Sequence, residues 1–229
     1  MLQNNNSEEA SAQFKLIREA YEILSDKHER AFYDSHRESI LKGKQPGAGG
    51  GGNDKDNEND DPDGLNLFQY FSPSCYSDYS DTAPDGFYVV YGSIFEKLDA
   101  LEMQASKEAS SKDADGNPVE EHTPAPSFGT SQSTPKEVKA FYSYWINFIS
   151  RRSFAFKEKW NLGDAQNRQV RRAMEKENKD ARQSGRREYN ENIRNLIRFV
   201  KKRDKRVIQY EQQEKKEEQQ RAVSRRKRG

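Results

Sequence analysis

The chain has a single cysteine, Cys75, among its 229 residues, and its three histidines, His28, His36 and His122, stand far apart. One thiol cannot close an intramolecular disulfide, and scattered histidines lack the paired spacing of a zinc finger. No His lies near Cys75 in sequence, so it reads as a structural thiol and not a nucleophile. No apolar run approaches the roughly 18 residues of a membrane span, and the polar start is no signal peptide. The run Gly49 to Gly52 lacks the Lys and Ser/Thr of a phosphate-cradling loop, and the carboxylates lack an apolar setting to separate their pKa values. These absences point away from an enzyme, a cofactor, a metal or a membrane, and towards a protein of the cytoplasm, with nucleus and nucleolus as further compartments. The chain is 32% hydrophobic and 34% charged, low and high against ordinary globular usage, which excludes one large core.

Charge is plentiful in both signs but separated along the chain. Residues 53–122 carry 17 Asp+Glu against 4 Lys+Arg, whereas residues 151–229 carry 26 Lys+Arg against 12 Asp+Glu, beneath a net charge of +1. A basic half of that size points to a polyanion, most often nucleic acid. Arg168, Arg171, Arg172, Lys176, Lys179, Arg182, Arg186 and Arg187 precede the denser run Lys201, Lys202, Arg203, Asp204, Lys205, Arg206. A helical rod of this kind sets a cation at nearly every turn and tracks phosphates without reading sequence. The candidate RNA contacts are Arg168, Arg171, Arg172, Lys176, Lys179, Arg182, Lys201, Lys202, Arg203, Lys205 and Arg206. The cations of the second run circle the helix, so only some of them can meet phosphate. Arg225, Arg226, Lys227 and Arg228 read as a nuclear-localisation patch.

Hydrophobic spacing predicts an all-α fold. Phe14, Ile17, Tyr21 and Leu24, backed by Ala20, form a stripe on a helix over 8–24, with Ser7 as N-cap. A second helix is expected from Glu29 to about Leu41, closed by Gly43 and Pro46. Pro135 opens another, on which positions 141, 145, 148 and 149 share a face and predict a small aromatic core. Phe154, Phe156 and Trp160, interleaved with Arg151, Arg152, Lys157 and Lys159, leave base stacking open as the other use of these rings. From about Asp164 to Arg225 the pattern is one long helix, with Tyr189, Ile193, Leu196, Ile197, Val200 and Val207 as its stripe. It is expected to form a hairpin or to pair with residues 140–160.

Phe14, Ile17, Ala20, Tyr21, Leu24, Ser25, Asp26, Arg30, Tyr33 and Asp34 match the pattern F-x-x-I-x-x-A-Y-x-x-L-S-D-x-x-x-R-x-x-Y-D, the later half of a chaperone J-domain. Lys27 departs from it, since many J-domains have Pro there. Further along come Tyr70 with Phe71, Cys75 with Tyr76, the run from Gly86 to Glu96, Phe128 with Gly129, Phe141 to Trp145, Phe154 to Glu158, Arg172 to Lys179 and Lys202 to Val207. In this order they resemble the DnaJ homolog subfamily C member 21 family, whose members share a zuotin-type ribosome-binding region.

The resemblance implies a partial J-domain at 1–42, with Phe14, Ile17, Ala20, Tyr21, Leu24 and Tyr33 as its core. Composition adds a flexible linker at 43–64 and a disordered acidic linker at 104–134, with an aromatic docking segment at 65–103 between them and a basic helical zuotin-like region at 135–229 after them. It implies a co-chaperone of the 70-kDa heat-shock chaperone in late maturation of the large ribosomal subunit. The eleven basic candidates would then face rRNA, and ribosome maturation factors would be further partners. The His-Pro-Asp loop through which J-domains act has no match in these residues, nor do the family's zinc fingers, so a chain shortened at both ends is expected. The rival readings are a competitor that occupies the ribosomal site without driving the chaperone, and a general basic helical interaction protein.

Overall fold

The structure, a computed structural model, describes residues 8–43, 65–108 and 122–226. Ser7, most of the 43–64 linker, the middle of the 104–134 linker and the last residues of the 225–228 patch lie outside the described residues. Among the described residues the protein is all-α, with six helices and no strand: α1 Glu8–Leu24, α2 Lys27–Gly43, α3 Phe87–Glu108, α4 Pro135–Ile146, α5 Arg168–Arg203 and α6 Lys205–Arg226. The chain divides into two compact units, Met1–Ser77 and Asp78–Gly229. That boundary falls inside the stretch expected to be one aromatic docking segment, so its rings serve two separate units.

In the first unit, Asp26 ends one helix and begins the next. Its Oδ1 accepts the backbone N–H groups of His28 at 2.9 Å and Glu29 at 3.1 Å, two donors that a helix start leaves unpaired. α2 takes one non-helical step at His36 (φ −120°, ψ 16°). There the imidazole lies tilted 4.4 Å from Phe32 and stacks 5.1 Å from Phe68, while Phe32 lies 4.3 Å from Phe71. The 3-10 turn Leu67–Phe71, capped by the Asn66 side chain, thus packs on α2.

The proposed J-domain core of this unit requires correction. Phe14 and Ile17 are each 67% exposed, Tyr21 is 70% exposed and Leu24 43%. Ala20 is exposed too, and Tyr33 is half-buried. A two-helix hairpin covers a single face of each helix, and on α1 the half-buried positions are Ala10, Glu19, Glu22 and Ile23. The apolar stripe is therefore not the face that the hairpin covers.

The second unit is built around rings. α3 brings in Phe87, Tyr91, Ile94, Phe95 and Leu98, α4 brings Val138, Phe141, Tyr142 and Trp145, and α5 brings Ile193, Leu196, Ile197 and Val200, all buried. Phe95 lies 5.1 Å from Phe141 and 4.9 Å from Trp145, joining α3 to α4. α4 starts at a capping box in which the Thr134 hydroxyl and the Glu137 carboxylate each satisfy the other's backbone N–H, with Pro135 in the first turn. Because α4 stops at Ile146, the expected face fails one step later: Phe148 is buried but Ile149 is 65% exposed.

Two further expectations change here. The 104–134 stretch is not a linker throughout, because α3 continues to Glu108, and residues 122–134, without helix or strand, carry Phe128 into the core 4.9 Å from Phe141. The single long helix is in fact two, broken at Asp204.

Phe141 is 1% exposed and is the ring on which α3, α4 and the Phe128 loop converge. Phe141→Ala should cost about 3–5 kcal/mol of unfolding free energy, read from the denaturant midpoint at unchanged slope. A loss below about 1 kcal/mol, within the range of a surface change, would show that the unit does not rest on this cluster.

Candidate nucleic-acid interface

Residues 147–164 run past α5 with only two short 3-10 turns of their own, so most of their backbone polar groups need outside partners. α5 supplies them every fourth residue. Asn178 accepts the N–H groups of Lys159 and Trp160 at 3.0 Å each and donates to the Trp160 carbonyl at 2.7 Å. Arg182 pairs with Glu158, and Arg186 donates to the Arg152 carbonyl at 3.1 Å. Asn190 accepts the Ser150 N–H at 2.9 Å, and Arg194 donates twice to the Phe148 carbonyl, at 2.8 and 3.1 Å. Rows of every fourth residue are inclined to a helix axis, so the segment crosses α5 obliquely. Gly185 sits inside this crossing, where an added Cβ would come 3.1 Å from the Lys157 side chain.

The ladder separates the basic candidates into two groups. Arg168, Arg171, Arg172, Lys176 and Lys179 are exposed; Arg182, 8% exposed, is buried against Glu158 and leaves the candidate RNA contacts. At 3.6 residues per turn, positions 168, 172, 176, 179, 183 and 187 share one flank of α5, a strip about 28 Å long. It holds Arg168, Arg172, Lys176, Lys179, Gln183 and Arg187, all basic or neutral. The adjoining flank holds Glu177, Asp180, Glu188 and Glu191. Arg171 lies off both, in line with Asn178 and Arg182 of the ladder, and pairs with Glu175 at 3.3 Å.

The second basic run mostly turns inward. Arg203 is buried, with its guanidinium 3.6 Å from the Phe199 ring and bonded to the Phe199 carbonyl. Arg206 is 2% exposed, held by the 0% exposed Asp204 through its Nη2 at 2.8 Å. Lys201 is half-buried. Lys202 and Lys205 are exposed, and Lys205 Nζ stands 3.8 Å over the Tyr79 ring. A guanidinium enclosed by rings, a carboxylate and carbonyls has no face for phosphate, so Arg203 and Arg206 leave the candidate list as well.

The exposed rings do not form a stacking platform on the basic flank. Phe154 is buried, and Trp160, 45% exposed, donates its indole N–H to Glu177 at 2.6 Å, on the acidic side of α5. Phe156 is 40% exposed and belongs to the group of rings around the Arg152 guanidinium. The helical ladder and Asp204 escaped the sequence reading. The four-residue recurrence of Asn and Arg from 178 to 194, and one acid inside a basic run, were the signals available.

A family model of the zuotin-like, zuotin homology domain matches residues 86–208, and a DnaJ domain model matches residues 3–34. The chain belongs to the zuotin-like family. It is 43% identical to DnaJ homolog subfamily C member 21 of Homo sapiens over 204 residues, which cover 89% of this chain and 34% of that protein. It has the same identity and coverage with the Danio rerio protein of that name. With Zuotin of Saccharomyces cerevisiae it shares 29% identity over 200 residues, 87% of this chain and 34% of Zuotin. The chain thus spans about a third of the length of the curated relatives it matches. The zuotin homology match runs from the start of α3 to the first turn of α6, and so takes in the core, the ladder and the Asp204 break. The DnaJ match lies in the other unit.

Within the zuotin homology region, burial first and Asp204 second push the Tyr142 phenol well above its ordinary value of 10.0 and Tyr88 up to about 12. A phenol whose pKa rises on folding holds its proton more tightly in the native state. Its contribution is therefore complete below about pH 10 and is lost as pH climbs beyond that value. Tyr142→Phe should lower stability at neutral pH by about 1 kcal/mol, the worth of one hydrogen bond, and flatten its decline above about pH 10. Denaturant midpoints across that range decide it, and an unchanged slope would remove Tyr142 from the alkaline transition.

Proposed function

We propose that the protein acts as a J-protein co-chaperone of the 70-kDa heat-shock chaperone in late cytoplasmic maturation of the large ribosomal subunit. It holds the pre-ribosome through the basic flank of α5, among the maturation factors that occupy the same particle. The DnaJ-domain match supports the first part of this reading and the zuotin homology match the second. The observation that carries the RNA contact is the segregation of charge on α5. With Arg182, Arg186 and Arg194 drawn into the ladder, Arg168, Arg172, Lys176, Lys179 and Arg187 share one exposed strip of α5 that carries no acid, while Glu177, Asp180, Glu188 and Glu191 lie in the adjoining one. A strip of point charges without an exposed ring beside them suits the sugar-phosphate backbone better than unpaired bases.

Replacing Arg172, Lys176 and Lys179 together by Glu should weaken binding to purified large ribosomal subunits. It should also flatten the dependence of log affinity on log salt by about 2–3 units, since each lost phosphate contact removes somewhat under one. Reversing Glu177 and Glu188 to Lys on the other flank should leave both quantities unchanged or raise the affinity. Sedimentation with large subunits over a salt series reads both, and an affinity indifferent to the triple change would move the contact elsewhere. No His-Pro-Asp triplet occurs in these 229 residues. This chain alone should accordingly leave the chaperone's ATPase at its basal rate, and a several-fold stimulation in a steady-state assay would contradict that.

A further inference from the structure

One residue, Asp204, leaves the helical path between α5 and α6, with φ −71° and ψ 113°. A single non-helical residue between two long helices is ordinarily a place where they can swing. Here the break is fully buried and bonded on every side. Asp204 Oδ1 accepts the Arg206 N–H at 2.9 Å, capping the start of α6, and Oδ2 accepts the Tyr142 hydroxyl of α4 at 2.7 Å. Both oxygens also meet the Arg206 Nε, at 3.1 and 3.2 Å. The Arg206 guanidinium lies 4.7 Å from the Tyr88 ring and 4.6 Å from the Phe128 ring, and its Nη1 donates to the carbonyls of Phe128 and Thr130 at 2.8 Å each. The loop that offers those two carbonyls turns at Gly129, whose φ of 74° suits a residue without Cβ.

Contacts on either side of the break fix it further. Tyr79 donates to the Arg203 carbonyl at 3.0 Å, and Tyr210, beyond the first turn of α6, donates to the Ser133 carbonyl at 2.6 Å. Beyond Tyr210 the anchoring stops. Residues 211–221 are all exposed and carry no apolar stripe, and α6 runs on from Tyr210 as an arm about 24 Å long. Among the described residues, the break, the buried first turn of α6 at Val207 and the Tyr210 contact set the direction of that arm. Replacing a buried ion pair by apolar packing is often neutral or favourable for stability, whereas the pair imposes orientation on the groups it joins.

We infer that residues 204–206 form a rigid elbow, with Asp204 as the positioning residue that aims the α6 arm at a set angle from the basic flank of α5. The elbow holds whatever the arm meets at a fixed distance and direction from the α5 surface. This inference stands on the geometry of the break and not on the RNA reading of that surface.

The test is pulsed dipolar spectroscopy on the full chain carrying Cys75→Ser, with spin labels at Lys179→Cys and Glu218→Cys, both exposed positions. The expected result is one narrow distance distribution. Asp204→Ala should broaden it at least twofold while a control pair within α5, at Arg172→Cys and Arg187→Cys, keeps its width. If Asp204→Ala loses its helical circular dichroism, Tyr142→Phe combined with Tyr210→Phe takes its place, with the same broadening expected. A broad distribution in the parent chain, or an unchanged width in whichever variant stays folded, overturns the elbow.

Discussion

The second unit depends on one constraint: backbone that is neither helix nor strand must find hydrogen-bond partners before its side chains can be buried. Residues 147–164 place Phe148 and Phe154 in the interior, and most of their amides and carbonyls have no secondary structure in which to pair. The row of Asn178, Arg182, Arg186, Asn190 and Arg194 resolves that conflict. Asparagine offers both an acceptor and a donor, so Asn178 can hold two amides and a carbonyl at once. Arginine supplies several donors from a long stem and reaches carbonyls that a shorter residue would leave unpaired.

The same constraint shapes the surface. Arginines drawn inward by the ladder are lost to any outside ligand, and the helical period leaves Arg168, Arg172, Lys176, Lys179 and Arg187 on a strip free of acids. Desolvation separates the two populations. A buried guanidinium needs a carboxylate or a set of carbonyls around it, as Arg182 has in Glu158 and Arg206 in Asp204. For Arg206, burial alone would lower its pKa, but the Asp204 hydrogen bonds and charge outweigh burial and hold it above the ordinary value. An exposed guanidinium pays no such cost and remains available to phosphate. Glu102, in contrast, is a buried acid whose pKa burial raises, although the Ser150 hydroxyl and the Arg151 N–H bond it at 2.7 and 2.6 Å.

Where helices had strong period and plain punctuation, the sequence was legible. α1 has the residues expected, α4 begins at Pro135 behind its Thr134 cap, and the stripe from Ile193 to Val200 is buried as its spacing required. The basic positions from Arg168 to Lys179 are exposed, as a polar face of that helix requires. Three features were not legible, each for a physical reason. Phe128 sits in a segment whose polar, proline-containing composition resembles a linker, and nothing local announces that one ring is buried. The break at Asp204 lies among residues that all tolerate a helix, and the bonds that bury it, from Tyr142 and to the Phe128 and Thr130 carbonyls, come from far along the chain. Arg182, Arg203 and Arg206 look like their neighbours in sequence, because a guanidinium bound to a carbonyl and one awaiting phosphate have the same helical spacing.

The basic run from Lys201 to Arg206 shows why composition misleads at such places. On a continuous helix its five cations would circle the axis and repel one another. The acid in the middle changes the outcome: Asp204 neutralises Arg206 inside the core, Arg203 folds back on Phe199, and only Lys202 and Lys205 stay exposed. Charge density that reads as a ligand surface is thus largely consumed in turning the chain. The less dense series on the N-terminal half of α5, spread at three- and four-residue steps, keeps more of its charge in solvent. For a helix that must both brace a core and meet a polyanion, the spacing of its cations and the acids among them decide which residues do which, and their number does not.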